Sequence, residues 1–174
     1  MEGKRRILLL FPVVLLPLTN LITAAVTGSS VAVPYTTSSS LIPFLPAAVV
    51  FILGAVFEEL FYRWFLLKKV FLETTKRKPI LSILIVSVLF ALMHLWNLQT
   101  SPAVLPVLLQ VFSAFCFSVW AGAAVWRSGQ IKMPLLAHLL LNMTAFADNM
   151  WISIIVGFVV LINGAYLLKE RCHI

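Results

Sequence analysis

Long apolar runs separated by short polar breaks limit the possible folds of this sequence more than any other feature. A helix crosses the roughly 30 Å hydrocarbon core of a bilayer with about 20 apolar residues, and tilt allows some variation in length. The sequence contains six such runs, at 7–26, 41–67, 79–97, 103–126, 133–148 and 150–168. We therefore predict an all-α fold: a polytopic membrane helical bundle with about six transmembrane helices, forming a single domain over residues 1–174.

Composition and charge favour a membrane protein over a soluble one. Hydrophobic residues make up 61% of the chain and charged residues 11%, too few to cover a soluble globule. The net charge of +7 is explained by lysines and arginines that all flank the same ends of the six runs, which predicts that both termini are cytoplasmic. Membrane lipid is then the expected partner of these charges, and nucleic acid is not. They are Lys4, Arg5 and Arg6; Lys68, Lys69, Lys76, Arg77 and Lys78; Arg127 and Lys132; and Lys169 and Arg171.

The N-terminal run has a second interpretation. The basic KRR, the apolar run and the later SSVAV together resemble a secretory signal with a small-residue cleavage site. The run of about 20 residues suits a retained span better than the roughly 7 to 15 residues of a signal core, so we expect it to be retained. The two cysteines, Cys116 and Cys172, offer no disulfide framework.

Three charged residues interrupt the second run, in GAVFEELFYRWF at 54–65. Each acidic or basic residue near the centre of a membrane helix costs roughly 2.5–3.5 kcal/mol. Glu59 and Arg63 are four residues apart and can pair, with Arg63 orienting Glu59. Glu58 points about 100° away from Glu59, so Arg63 is poorly placed to serve both. This motif alone leaves a structural polar cluster and a functional site equally open.

Two histidines and an asparagine in other runs favour a functional site. His94 lies in the third run, and His138 and Asn142 lie one helical turn apart in the fifth. These residues can activate water and stabilise an oxyanion in a hydrolysis. We predict that Glu58 takes a proton from water that His94 also holds, because partial burial makes a carboxylate a stronger base. His138 and Asn142 would then donate hydrogen bonds to the developing oxyanion.

A metal site would use the same side chains. Glu58, His94 and His138 are a plausible set of three zinc ligands with an open fourth position. The sequence contains neither HExxH nor paired CxxC motifs, and ligands scattered over three helices do not by themselves indicate zinc. We expect no cofactor, with zinc bound by these three residues as the alternative.

Three motifs in this chain resemble those of a known family. EELFYR, FALMH and HLLLN are similar to EExxxR, FxxxH and HxxxN of the CAAX-protease and bacteriocin-processing (Abi) family of intramembrane proteases. All three occur in the family's order, and the resemblance covers about 42–148. One departure is Trp64, which stands where a small residue often follows the motif arginine.

The resemblance implies an intramembrane endopeptidase in a bacterial plasma membrane that acts on a peptide or membrane-protein substrate. Relatives trim prenylated CAAX proteins, and bacterial ones are linked to peptide maturation and bacteriocin immunity. By motif, Glu58 and His94 would be the water-activating pair, and the related CAAX enzymes look glutamate-dependent and metal-free. The alternative is a non-proteolytic immunity or scaffold protein of the same family. A transporter would be expected to show paired broken helices, which this sequence lacks.

The expected heights of the site residues conflict with upright helices that start level. Measured from the nearest cytoplasmic lysine at 1.5 Å per residue, His138 lies about 9 Å up, Glu58 about 15 Å and His94 about 24 Å. The three can meet only if the 69–80 segment drops below the membrane surface, or if the third helix is sunk or tilted. We predict such an arrangement.

Overall fold

The computed structural model describes residues 2–27, 41–76, 78–99, 103–144 and 150–169. The sequence expectations that lie outside these residues include the alternative cleavage site at SSVAV, the placement of Arg77 and Arg171, and the environment of Cys172.

Six α-helices follow one another in the predicted order, and the described residues contain no strand. The predicted all-α polytopic membrane bundle is thereby confirmed. Among the residues that the structure describes, four stretches are long and apolar enough to cross a membrane, Arg6–Val26, Pro79–Gln99, Val104–Ser128 and Trp151–Lys169. The helices are α1 (Glu2–Thr27), α2 (Leu41–Glu59), α3 (Pro79–Met93), α4 (Val104–Ser128), α5 (Lys132–Thr144) and α6 (Met150–Lys169).

Two connections extend these helices. A π-helical segment, Leu60–Thr74, continues α2 without a break, and the Thr75 amide bonds the Val70 carbonyl at 2.9 Å in the i to i−5 pattern of such a helix. A 3₁₀ turn, His94–Gln99, follows α3. The predicted break at KKVFLETTKRKP therefore begins later than the sequence indicates, because its first half is helical.

The π-helical segment removes the conflict in height. The stretch from Thr75 back to Glu58 and the stretch from Lys78 forward to His94 are of nearly equal length. Lys68 Nζ also donates to the Gly129 carbonyl at 3.1 Å, which ties the segment to the turn between α4 and α5. From that tie, the stretches that lead to Glu58 and His138 are again nearly equal. Beyond the Lys68 contact the chain stays helical to Thr74, and α3 begins at Pro79.

The core is built around α4, which packs against both α3 and α6. Every residue from Cys116 to Val125 is buried, and many are alanine or glycine, which lets neighbouring backbones approach closely. The Arg127 guanidinium links the end of α4 to the end of α6. Its Nε donates to the Leu167 carbonyl at 2.6 Å and its Nη2 to the Leu168 carbonyl at 3.0 Å. These bonds satisfy carbonyls at the C-terminus of α6.

Gly164→Ala is expected to destabilise the protein by about 1–3 kcal/mol. An added Cβ would lie 2.9 Å from the Trp120 Cα and 3.0 Å from its backbone nitrogen, so α4 and α6 would have to separate. Gly54→Ala is the matched control, because nothing lies within 4 Å of its added Cβ and alanine favours a helix. Unfolding of both variants in detergent micelles measures the difference, and equal stability would contradict the close α4–α6 contact.

Candidate active site

The end of α2 and the first turn of the π-helical segment carry the three charged residues predicted from the sequence. Glu59 and Arg63 are fully buried, with Arg63 Nε 3.4 Å from Glu59 Oε2. The Glu58 side chain differs, because 37% of it is exposed. The two adjacent glutamates therefore have different surroundings, one an enclosed ion pair and the other a partly accessible carboxylate.

His138 of α5 lies between the two glutamates. Its Nδ1 is 3.0 Å from Glu59 Oε1, and its Nε2 is 3.7 Å from Glu58 Oε2. An ionised carboxylate can only accept hydrogen bonds, so the Nδ1–H group donates to Glu59. This bond fixes the orientation of the ring and directs Nε2 toward Glu58.

His94 approaches the site from the 3₁₀ turn after α3. Its Nδ1 lies 3.0 Å from the Phe90 carbonyl oxygen, which can only accept, so Nδ1–H is the donor and Nε2 is left free to accept. No hydrogen bond joins His94 to Glu58 within the described residues. The predicted sharing of one water by Glu58 and His94 stays a prediction.

Phe90 connects the side chains of the site. Its ring centroid lies 5.1 Å from that of His94, 5.9 Å from that of His138 and 5.2 Å from that of Tyr62. The Arg63 guanidinium lies over the Phe90 ring at 4.2 Å, in the geometry of a cation–π contact. Phe90 is almost fully buried, so it acts as a rigid spacer between the two histidines.

Asn142 lies one turn beyond His138 in α5 and is partly exposed. Where the structure describes the chain, its amide forms no hydrogen bond with Glu58, Glu59 or His138. The structure thus brings both glutamates, Arg63 and His138 into direct proximity. His94 is connected to these residues by its ring contact with Phe90. Asn142 lies in the same helix as His138 but forms no hydrogen bond with the other site residues.

Comparison with known families decides the relationship. Residues 39–144, which include every predicted site residue, match the family described as Type II CAAX prenyl endopeptidase Rce1-like. The chain belongs to this family. The CAAX-protease and bacteriocin-processing family suggested by the three motifs is confirmed. No curated protein and no solved structure matches the chain.

Two aromatic residues of this Rce1-like site were not predicted as site residues. Phe90 belongs to the FxxxH motif, so the motif itself could have identified it. Phe117 of α4, with its ring 5.2 Å from that of His138, carries no comparable signal because it stands in an uninterrupted apolar run. Trp64, the departure from the family pattern, has a side chain that is 45% exposed, so its bulk does not fill the site.

The metal-binding alternative finds no assembled ligand set in this Rce1-like protein. Across the described ranges, no three His, Cys, Asp or Glu side chains are grouped so that they could hold a metal ion. His94 is turned toward the Phe90 carbonyl through Nδ1, and His138 toward Glu59 through the same ring position. Both contacts use Nδ1 and leave Nε2 available, the arrangement in which histidine commonly binds zinc, so Glu58, His94 and His138 stay the alternative ligand set.

Proposed function

We propose that this protein is an intramembrane endopeptidase that hydrolyses a peptide bond with water activated by Glu58. The observation that carries the proposal is the placement of His138 between the two glutamates, 3.0 Å from Glu59 and 3.7 Å from Glu58. Membership of a protease family and four apolar helices long enough to cross a membrane support the same reaction class.

Glu58 is the general base because it is the accessible carboxylate. Glu59 is enclosed, with one oxygen bonded to His138 and the other paired with Arg63, so it has no oxygen to offer a water in the cleft. Glu58 presents a partly exposed side chain and can take the proton of an attacking water. Glu59 instead fixes the position of the His138 ring by accepting the hydrogen bond from Nδ1–H.

His138 is the proposed donor to the developing oxyanion. Its Nδ1–H is used by Glu59, so donation from Nε2 requires the doubly protonated ring. The Asn142 amide, one turn away on α5, is the second proposed donor.

His94 is the proposed partner of Glu58 in activating water. Its Nδ1–H is bound to the Phe90 carbonyl, so its free Nε2 can accept a hydrogen bond from the water that Glu58 deprotonates. Glu58 and His94 thus remain the proposed water-activating pair. His138 and Asn142 remain the proposed oxyanion site, the role that the resemblance to the family's third motif implies.

Reconstitution in lipid vesicles tests the activity. The purified protein is mixed with a library of membrane-proximal peptides, with and without a C-terminal lipid, and the products are identified by mass spectrometry. Cleavage at defined bonds is expected. Product levels no higher than in protein-free vesicles would favour the non-proteolytic immunity or scaffold alternative. A bacterial plasma membrane is the proposed location.

Chelation is expected to leave the cleavage rate unchanged within about twofold. The proposed chemistry is carried by carboxylates, imidazoles and an amide, and the described part of the chain groups no three metal ligands. Rates are compared before and after dialysis against EDTA and 1,10-phenanthroline. Loss of cleavage that returns on adding zinc would contradict metal-free hydrolysis and support the Glu58–His94–His138 alternative.

A further inference from the structure

A cavity inside the bundle lies apart from the charged residues of the candidate site. It has a volume of about 90 Å³ and is lined by residues of α1, α4, α5 and α6. Eight of its twelve lining residues belong to α1 and α6, outside the 39–144 region that matches the family. None of the twelve is charged. The cavity is therefore built for a neutral ligand, and membership of the family does not assign one.

The register of three helices orders the lining residues along the bundle. Trp120 Nε1 of α4 donates to the Leu8 carbonyl of α1 at 3.3 Å, and these two helices run in opposite directions. Gly157 of α6 lies against the Phe112 ring of α4, and these helices run in the same direction. Positions 19, 20 and 153 are thereby placed at one level, roughly two helical turns from position 117.

The polar lining residues are gathered toward one end of the cavity. Thr19 and Asn20 of α1 and Ser153 of α6 lie at that end, with Ser113 of α4 about one turn further along. The ring of Phe117 lines the other end. The cavity therefore has a polar end and an apolar end, which matches a ligand whose own two ends differ in the same way.

We propose that this cavity binds a small aliphatic alcohol, with the hydroxyl beside Thr19 and Ser153 and the carbon chain directed toward Phe117. The Thr19 hydroxyl donates to the Leu15 and Leu16 carbonyls at 2.9 Å, so it acts toward a ligand as an acceptor. The Ser153 hydroxyl can donate as well as accept. An alcohol both donates and accepts, so one hydroxyl can serve both side chains.

The volume limits the length of the carbon chain. An apolar cavity of about 150 Å³ holds the six carbons of benzene, so a volume of about 90 Å³ holds a ligand of roughly four or five non-hydrogen atoms. The three helices that supply eleven of the twelve lining residues are among those long and apolar enough to cross a membrane. The ligand must therefore partition into the bilayer, as short alcohols do.

Other occupants match only one end of the cavity. Water would find hydrogen-bond partners beside Thr19 and Ser153 but none beside Phe117. The end of a lipid acyl chain would fill the apolar end but would cover the polar side chains without bonding them, which is unfavourable. An ion would meet no charged side chain in the lining.

Phe117 connects the cavity to the candidate active site. Its ring lines the cavity, and its centroid lies 5.2 Å from that of the His138 ring. Atoms that face an empty space lack contacts on that side, so a bound ligand would restrict the Phe117 ring and thereby hold the His138 ring in place. This effect on catalysis rests on the proposed function, whereas the alcohol site itself does not.

The reaction of Cys116 with methylmercury chloride tests the site without any substrate. Cys116 lines the cavity and is fully buried, so this small neutral reagent reaches the thiol by way of the cavity. A sulfur–mercury bond replaces the S–H bond, and a proton and chloride leave. In a Cys172→Ser protein, 1-butanol is expected to slow this reaction several-fold, as followed by mass spectrometry. Butyrate has the same chain length but is charged, so it should leave the rate unchanged.

Two valine substitutions supply the matched comparison. Val156→Phe places a ring in the cavity and is expected to slow the reaction of Cys116 several-fold without any alcohol. Val14→Phe makes the same change where the α1 side chain is 59% exposed, and should leave the rate unchanged. A Cys116 rate that 1-butanol does not lower, or that 1-butanol and butyrate lower equally, would overturn the proposal, as would a thiol that does not react. If Val156→Phe does not fold, the comparison of the two solutes decides.

The effect on catalysis is measured separately. Cleavage in vesicles should rise at least twofold at the 1-butanol concentration that protects Cys116, and it should not rise in the Val156→Phe protein. Protection without a change in rate would reject the link through Phe117 but keep the alcohol site. A protein that cleaves no peptide would reject the proposed function together with this link, and the Cys116 reaction would still decide the alcohol site.

Discussion

Glu58→Gln is expected to lower the rate of peptide cleavage by about 10²–10⁴-fold, the range for loss of a general base. Glutamine keeps the size of the side chain but cannot accept a proton from water. The side chain is partly exposed and pairs with His138 only at 3.7 Å, so the variant should still fold and insert. Initial rates in vesicles, normalised to the amount of inserted protein, measure the effect.

Glu73→Gln is the matched control for this experiment. Glu73 lies in the helix that continues α2, is exposed, and pairs with Lys69 at 2.7 Å, well away from His138. Its substitution makes the same chemical change and should leave the rate unchanged. A Glu58→Gln protein that cleaves as fast as the Glu73→Gln protein would remove Glu58 from the mechanism.

Arg63→Ala is expected to destabilise the folded protein by about 3–5 kcal/mol, because it leaves the fully buried carboxylate of Glu59 without its cation. It also removes the cation–π contact with Phe90. Lys69→Ala breaks another i, i+4 pair of the same extended helix, but both partners are about half exposed, and a loss of roughly 0–1 kcal/mol is expected.

Comparing these two ion pairs distinguishes the effect of burial on stability from the effect of the distance between the charged atoms. The exposed pair is the shorter, at 2.7 Å against 3.4 Å, so an account based on separation alone predicts the opposite ranking. Denaturant titration in mixed micelles gives both free energies of unfolding. The double variant Glu59→Gln/Arg63→Met should be less destabilised than Arg63→Ala, since it leaves no unpaired charge. Similar losses for Arg63→Ala and Lys69→Ala would show that Glu59 is not enclosed as described.

Much of the fold could be predicted from the sequence, because a helix that crosses a membrane must be apolar over about 20 residues, and such runs are easily recognised. The end of the second helix did not follow. Lys68 and Lys69 suggest that a span has ended, yet the chain stays helical to Thr74. Lys68 reaches the Gly129 carbonyl and Lys69 pairs with Glu73, so both cations are accommodated on a continuing helix. Positive charges indicate the side of the membrane, but they do not locate the end of a helix.

The site was predictable where spacing within a helix determines contact. The i, i+4 separation correctly predicted the pair of Glu59 and Arg63. The direct approach of His138 to both glutamates depends on how α5 packs against α2, which no spacing within either helix encodes. For the same reason the aromatic support from Phe117 could not be found, since the ring reaches His138 only because α4 lies behind α5.

The unequal surroundings of Glu58 and Glu59 have a stereochemical consequence for the proposed reaction. Glu58 Oε2 is enclosed beside His138, so the water that Glu58 activates can approach this carboxylate only from the exposed part of the side chain. A planar peptide group docked there would be attacked on one prochiral face, and the tetrahedral centre would form with a single handedness. Glu58 and Glu59 are the same residue type, yet their unequal burial would determine the face from which the peptide group is attacked.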